Sequence, residues 1–406
     1  MNRRRWLILS LVFVGILVSY VDRGNLSIAA ATIMRDLRLD PKSMGLLLSA
    51  FFWTYAICQM PAGLLVDRFG IRSVYAAAFF IWSMASASIA LSRGPTDILA
   101  SRLVLGLAES VGPLASLAFI HAYFSARDQG LPVAIYLSGQ TIGPALGALL
   151  GSTLLVSFGW RAMFAATGLG ALLWIPAWLY LAPRGKHVPH AGPRAAICWP
   201  WRIIVTSPSF WGMSFCVFFV SYYWYFLLTW MPAYMTMARG FSTLGMGRIL
   251  SLPLFAMAAI NVISGWLADK FLKKARSVFW VRIWFGVAGF AGASTILLLN
   301  ITEGRAPVLP ILALSICSFG VANSSMWAIA QTAAPPAAVG RTIGYLNTIS
   351  QIAGAAAPLI TGWSLGPLKD FRLAIGVAGA CPLCACLCLL IAGRGLERIR
   401  ADLDAA

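Results

Sequence analysis

Twelve stretches of about twenty or more predominantly apolar residues follow one another along this chain, at 7–32, 43–66, 72–92, 96–123, 130–156, 160–182, 209–235, 243–268, 278–300, 306–331, 339–364 and 371–393. Most are long enough to cross a hydrocarbon core of about 30 Å as an α-helix. A bilayer admits only elements that satisfy their own backbone hydrogen bonds, so the expected fold class is an all-α integral membrane protein with twelve transmembrane helices. A soluble fold is excluded by composition: 11% of the 406 residues are charged, against about 25% in an ordinary soluble domain.

The formal charge of +18 could suggest a nucleic-acid partner, but the basic residues sit in the joints between spans rather than on one face. No nucleic acid is expected. With an even number of spans both termini share a side, and that side collects eighteen lysines and arginines, among them Arg3, Arg4, Arg5, Arg68, Arg72, Lys270 and Arg341, against ten on the other. Positive residues mark the cytoplasmic side, so both termini are expected there, in a multi-pass protein of the plasma membrane, a bacterial inner membrane. Arg3–Arg5 and the apolar run behind them imitate a signal peptide, yet the run continues into Asp22 and Arg23 without a small-residue cleavage site. A retained first span is the reading.

Cys381, Cys384, Cys386 and Cys388 share the last apolar segment with no His or carboxylate beside them, so helix packing is expected there, with no metal and no cofactor. His121, His187 and His190 are too scattered for a catalytic constellation. An enzyme is not expected.

The one long polar stretch, 183–208, divides six spans from six. The expected organisation is an N-terminal six-helix bundle over 1–182, a cytoplasmic linker over 183–208 and a C-terminal six-helix bundle over 209–406. After the second span stands Gly63-Leu-Leu-Val-Asp67-Arg68-Phe-Gly70-Ile-Arg72, echoed after the eighth by Gly265-Trp-Leu-Ala-Asp269-Lys270. The halves therefore repeat in parallel, a plan of secondary transporters.

The first of these loops resembles the signature of the major facilitator superfamily, and the resemblance covers the whole chain. Tyr20-Val-Asp22-Arg23-Gly-Asn25-Leu-Ser27 in the first span and Ser101-Arg102-Leu-Val-Leu-Gly106-Leu-Ala-Glu109 in the fourth look like the anion:cation symporter family, carriers of sugar acids and other organic anions. The resemblance implies two pseudo-symmetric six-helix bundles and import of a small organic anion, such as a sugar acid or an aromatic carboxylate, with protons. Asp22 and Glu109 would carry the protons, Arg23 and Arg102 the negative charge of the substrate, and Tyr20 and Tyr55 aromatic hydroxyls. The partners implied are the organic anion, protons and the lipid bilayer, with the protein a monomer.

The four charges stand out without the resemblance, since each costs roughly 2.5–3.5 kcal/mol at the membrane centre and needs a partner or a function. Arg102 and Glu109 are seven residues apart and face one way, within about 20°. Arg102 should lie about 9 Å deep, Glu109 about 20 Å and Asp22 about 14 Å. If spans one and four are neighbours, as the superfamily implies, these depths pair Asp22 with Arg102 and bring Glu109 to Arg23. Two acids and two bases sum to zero, so an entering anion favours protonation of one carboxylate, and the coupling is reciprocal. A purely structural ion cluster would meet the same insertion cost.

The second half offers polar and aromatic groups instead: Tyr222, Tyr223 and Tyr225; Asn261; Asn323 and Trp327; Asn347 and Gln351. The last two pairs are each four apart and share a helical face. Tyr223, Asn323, Trp327, Asn347 and Gln351 are candidates for selecting the uncharged part of a substrate, although each alone could equally be a helix contact. Gly63, Asp67, Arg68, Gly70, Arg72 and Asp269 are expected to govern conformational change. Against import, Gly130, Gly139, Gly143, Pro144 and Gly147 reproduce most of a fifth-span pattern of drug–proton antiporters, with Ala148 in place of its final glycine. Proton-driven export of drugs or metabolites is the second reading.

Overall fold

The computed structural model describes residues 2–125, 128–182, 208–272, 278–333, 339–366, 370–393 and 395, and among them every regular element is helical. In chain order the longer helices are α1 (Asn2–Asp36), α2 (Pro41–Phe69), α3 (Ile71–Ser88), α4 (Pro95–Glu109), α5 (Val111–Tyr123), α6 (Gly130–Ala171), α7 (Trp174–Leu181), α8 (Pro208–Thr229), α9 (Thr243–Leu272), α10 (Val278–Ala293), α11 (Val308–Ala333), α12 (Val339–Ser364) and α13 (Arg372–Gly393). Ten helical stretches are long and apolar enough to cross a membrane, and one of them, Gly130–Leu181, runs for 52 residues. Inside it Gly159 takes φ 79° and ψ 169°, a conformation open to glycine, so two spans meet at that turn. The polar residues Asn347, Ser350 and Gln351 leave α12 short of the hydropathy of the other ten. Counting both, the described residues hold the twelve spans expected. Large apolar side chains such as Ile57, Leu173 and Val262, exposed at 74%, 80% and 70%, cover the outer surface, as lipid rather than water requires.

The helix breaks have local causes. Pro113 has no N–H to give the Glu109 carbonyl four residues back, and there α4 ends and α5 begins. The fourth span is therefore bent at the carboxylate it carries. Asp40 caps α2, its Oδ1 accepting from the Ser43 N–H at 2.8 Å. These hydrogen bonds hold its carboxyl below the usual range.

By contact the chain falls into two units, one of Met1–Pro193, Leu228–Ser251 and Pro358–Lys369, the other of Arg194–Leu227, Leu252–Ala357 and Asp370–Ala406. In the first, α1 lies along α6 with side chains almost removed from the seam. A Cβ on Gly143 would stand 2.6 Å from Tyr20 Cβ, and one on Gly147 3.3 Å from Val21 Cα. A side chain on Gly139 would meet Ile16, and one on Gly106 of α4 would meet the Phe51 carbonyl of α2. These close approaches fix α1, α2 and α4, which carry the charges. The same unit includes Trp230, whose indole N–H donates to the Pro358 carbonyl at 3.0 Å. The linker expected over 183–208 lies outside the described residues apart from Pro208.

Candidate functional site

The four candidate charges of the first and fourth spans lie in the first unit and come together. Asp22, Arg102 and Glu109 are exposed at 1%, 2% and 1%, and the Arg23 side chain at 12%. Arg23 Nε donates to Glu109 Oε2 at 2.6 Å, and Ser19 Oγ donates to the same oxygen at 2.7 Å. Ser19 and Arg23 are one turn apart on α1 and so reach across together. The expected contact of Glu109 with Arg23 is present.

The expected pairing of Asp22 with Arg102 does not form. Asp22 Oδ1 accepts instead from Ser86 Oγ of α3 at 3.1 Å, and the Arg102 guanidinium lies over the Phe51 ring, 5.2 Å from its centre. Arg102 interacts with Asp22 and Glu109 only through space. Its Nε and Nη1 are buried without a hydrogen-bond partner among the described residues, as are Asp22 Oδ2 and Glu109 Oε1. The cluster thus contains two guanidinium donors and two carboxylate acceptors that find no partner among the described residues. Native interiors leave few such groups, and each calls for a reason.

Tyr20 and Tyr55 sit at the cluster, and it is their rings that meet the charge. The Arg23 guanidinium lies 4.8 Å from the Tyr20 ring, 4.6 Å from Phe51 and 4.7 Å from Tyr55. Aromatic faces attract a cation while excluding water. Phe51 therefore serves both arginines, a role with no sign in the sequence beyond one aromatic among many. Asn25 Nδ2 donates to Thr167 Oγ1 of α6 at 2.9 Å beside the cluster.

The second unit holds the other candidates. Tyr223 is buried with its hydroxyl on Ser315 at 2.5 Å, and Ser315 in turn donates to the Ala293 carbonyl. Tyr225 donates to Gln351 Oε1 at 3.5 Å, and Gln351 Nε2 to Asn347 Oδ1 at 3.4 Å. Asn347 and Gln351 do share a face, and they bond to each other along it. Asn323 and Trp327 are both half-buried. One turn before Asn323 on α11, Phe319 stacks on Trp224 of α8 at 5.4 Å and 2°.

The loop motif is built around Gly70, which ends α2 at φ 82° and ψ 152° with its N–H on the Val66 carbonyl. The chain turns there directly into α3. Gly63 is half-buried along α2. Arg72 donates to the Leu179 carbonyl of α7 at 2.6 Å, and the Trp178 indole donates to the Arg72 carbonyl at 3.0 Å. Asp67 and Arg68 are exposed, and Arg68 lies over Phe69. In the second copy Asp269 pairs with Arg282 of α10 at 2.7 Å.

Among known proteins, this chain is 28% identical to a "Probable galactarate/D-glucarate transporter" of Bacillus subtilis (strain 168), over 97% of this chain and 93% of that one. It is also 28% identical to a second probable galactarate/D-glucarate transporter, from Escherichia coli (strain K12), over 97% and 96%. Identity is 27% to a "D-galactonate transporter" of Escherichia coli O6:H1, over 93% and 94%. The fold matches a bacterial homolog of the human lysosomal transporter Spinster, solved in an inward-facing and unoccupied conformation, with TM-score 0.81 and 16% identity over 98% of this chain and 99% of that one. Residues 12–358 match the family described as Major Facilitator Superfamily. With most of its length inside that match, the chain belongs to the Major Facilitator Superfamily, whose members are transporters and not enzymes.

Proposed function

We propose that this protein imports a sugar acid together with protons across a bacterial inner membrane, as a monomer working by alternating access. The observation that carries the reading is the buried cluster in which Arg102 Nε and Nη1 and two carboxylate oxygens have no partner among the described residues. A planar fork of N–H groups suits a carboxylate in bidentate contact, and a carboxylate oxygen without a donor suits a proton. The substrate class rests on the relatives, which are named for galactarate, D-glucarate and D-galactonate.

The charge sum supplies the coupling. Asp22, Glu109, Arg23 and Arg102 cancel when all are ionised. A substrate carboxylate on Arg102 adds one negative charge in a site with little water, and protonation of Asp22 or Glu109 removes it. Anion and proton then each favour the other, by the same factor in both directions. In this reading Arg23 keeps Glu109 in place while Arg102 receives the anion. In the second half, Tyr223, Asn323, Trp327, Asn347 and Gln351 serve the choice among substrates, directly or by holding the helices that do.

The reading takes residues 1–182 and 209–406 as the two bundles and 183–208 as a cytoplasmic linker, with both termini cytoplasmic. Reporter fusions after Leu181 and at Ala406 check the topology, and periplasmic signals from both would refute it. The glycines that would favour export have another use here, since Gly139, Gly143 and Gly147 form the seam with α1.

Uptake into proteoliposomes, with pH gradient and voltage imposed separately, tests the function. Galactarate, D-glucarate and D-galactonate should include a substrate accumulated under an inward proton gradient. Absence of such accumulation, with proton-driven extrusion of cationic dyes, would replace import by export.

A further inference from the structure

A serine inside a membrane helix ordinarily returns its hydroxyl to a carbonyl of its own preceding turn. Ser10, Ser49, Ser88 and Ser110 do so here, onto Trp6, Leu46, Ala85 and Leu107. Several buried serines depart from the pattern: Ser27 and Ser315 donate to the Thr229 and Ala293 carbonyls, and two others reach carboxylates. Ser19 of α1, exposed at 5%, reaches Glu109 Oε2 of α4, and Ser86 of α3, exposed at 1%, reaches Asp22 Oδ1 of α1. Each of the two acids is thus held through one oxygen by a hydroxyl from a different helix, and the other oxygen, Asp22 Oδ2 or Glu109 Oε1, is buried without a partner.

We infer that Ser19 and Ser86 are positioning residues for proton coupling, each fixing one carboxylate oxygen so that the other is the atom that takes and releases the proton. The inference rests on the proton-coupled reading above and deepens it. A carboxylate free to rotate offers either oxygen and several orientations; one oxygen tied to a serine leaves a single acceptor in a set direction. The chemistry is one proton added to Oδ2 or Oε1 and later removed from it, with the serine O–H bond intact throughout. The serine also stabilises the ionised form, because a hydroxyl donates a better hydrogen bond to a carboxylate than to a carboxylic acid.

The two acids differ in their other neighbours. Glu109 faces Arg23 of α1 at bonding distance, Arg102 on its own helix, Asp22 of α1 and Tyr75 of α3. Asp22 faces Glu109 and Arg102 of α4, with Ser86 of α3 and Thr167 of α6 as its hydroxyl neighbours. Losing a serine therefore takes one of two short bonds from the Glu109 oxygen, and leaves Asp22 with Thr167 as its remaining hydroxyl neighbour.

The test is pH-dependent uptake in proteoliposomes of whichever of galactarate, D-glucarate and D-galactonate the wild type accumulates, with counterflow at equal pH on both sides as the control. Ser19→Ala and Ser86→Ala should each move the external pH of half-maximal uptake upward by about one to two units, the size of one hydrogen bond to a charged group. Counterflow should stay within about twofold, and Ser19→Thr and Ser86→Thr should restore the midpoint. Unmoved midpoints in the alanine variants, with only a lower maximal rate, would overturn the inference, and so would threonine variants shifted as far as the alanine ones. A wild type indifferent to the proton gradient would instead refute proton coupling itself, and that outcome is read before any serine is changed.

Discussion

Replacing Glu109 by glutamine isolates the coupling from the binding. The substitution keeps the volume and one carbonyl oxygen for Ser19 and Arg23, but it holds the side chain permanently in its uncharged form. With an anion on Arg102 taken at about 6 Å from Glu109, the repulsion between the two negative charges at an effective dielectric of about 20 is about 3 kcal/mol. That is roughly a hundredfold in affinity, the upper part of the range in which binding sites are usually coupled. In the proposed mechanism this term ties the proton to the substrate. In Glu109→Gln it is absent, and the cluster has a net charge of +1 that a carboxylate neutralises. The variant should bind anion at least as well as the wild type and carry out counterflow, while its accumulation under a pH gradient falls to near the equilibrium ratio. The assay is accumulation and counterflow measured on the same proteoliposomes. A Glu109→Gln protein that still concentrates substrate as the wild type does would make the cluster a structural ion network and refute the mechanism.

Substitutions at three further positions extend the test. Arg102→Ala should weaken equilibrium binding by at least a hundredfold, since it leaves the buried acids with an excess negative charge, and Arg102→Lys should restore little because a point charge lacks the bidentate fork; binding to detergent-solubilised protein measures both, and near-normal affinity in Arg102→Lys would count against carboxylate contact. Gln351→Ala should weaken the best substrate several-fold and analogues lacking a hydroxyl less, as competition uptake would show, whereas an equal loss for all would assign Gln351 to helix packing alone. Asp67→Asn should slow turnover with affinity little changed, because Asp67 lies exposed at the end of α2; a loss confined to binding would contradict that.

What the sequence disclosed and what it hid divide along a physical line. Chain-local features were legible: apolar length marked the spans, Asp269 echoed Asp67, and the seven-residue spacing turned Arg102 and Glu109 the same way. The Arg23–Glu109 contact followed from depth once the family resemblance had set spans one and four side by side. Depth could not show that Asp22 would be taken by Ser86 rather than Arg102, because Ser86 comes from α3 and Phe51, which holds the Arg102 guanidinium, from α2. Neither helix had entered the estimate. Tyr20 and Tyr55 were expected at the site for their hydroxyls, yet their ring faces enclose Arg23. Ser19 and Ser86 were unreadable for a simpler reason: a membrane serine usually bonds its own helix, and only the fold shows which ones do not. Arg282, inside an apolar segment, likewise gave no sign that it would pair with Asp269.

The glycine seam bears on how such a cluster can transmit anything. Tyr20 and Val21 lie against Gly143 and Gly147 with no room for a methyl at the first, and Gly106 is pressed on the Phe51 carbonyl. Interiors packed this closely do not deform by degrees, so α1 is tied to α6 and α4 to α2 as rigid pairs. A rigid pair can register substrate and proton only through charge and through the orientation of a few side chains. The asymmetry among the four residues then becomes informative. Arg23 is spent on Glu109, enclosed by three rings and short of freedom. Arg102 has two donors and no acceptor for them, and Asp22 has a serine in place of a cation. Under the proposed mechanism the pair left unjoined is the one that an incoming carboxylate and an incoming proton complete, so there the ion pair that failed to form tells more about transport than the one that did.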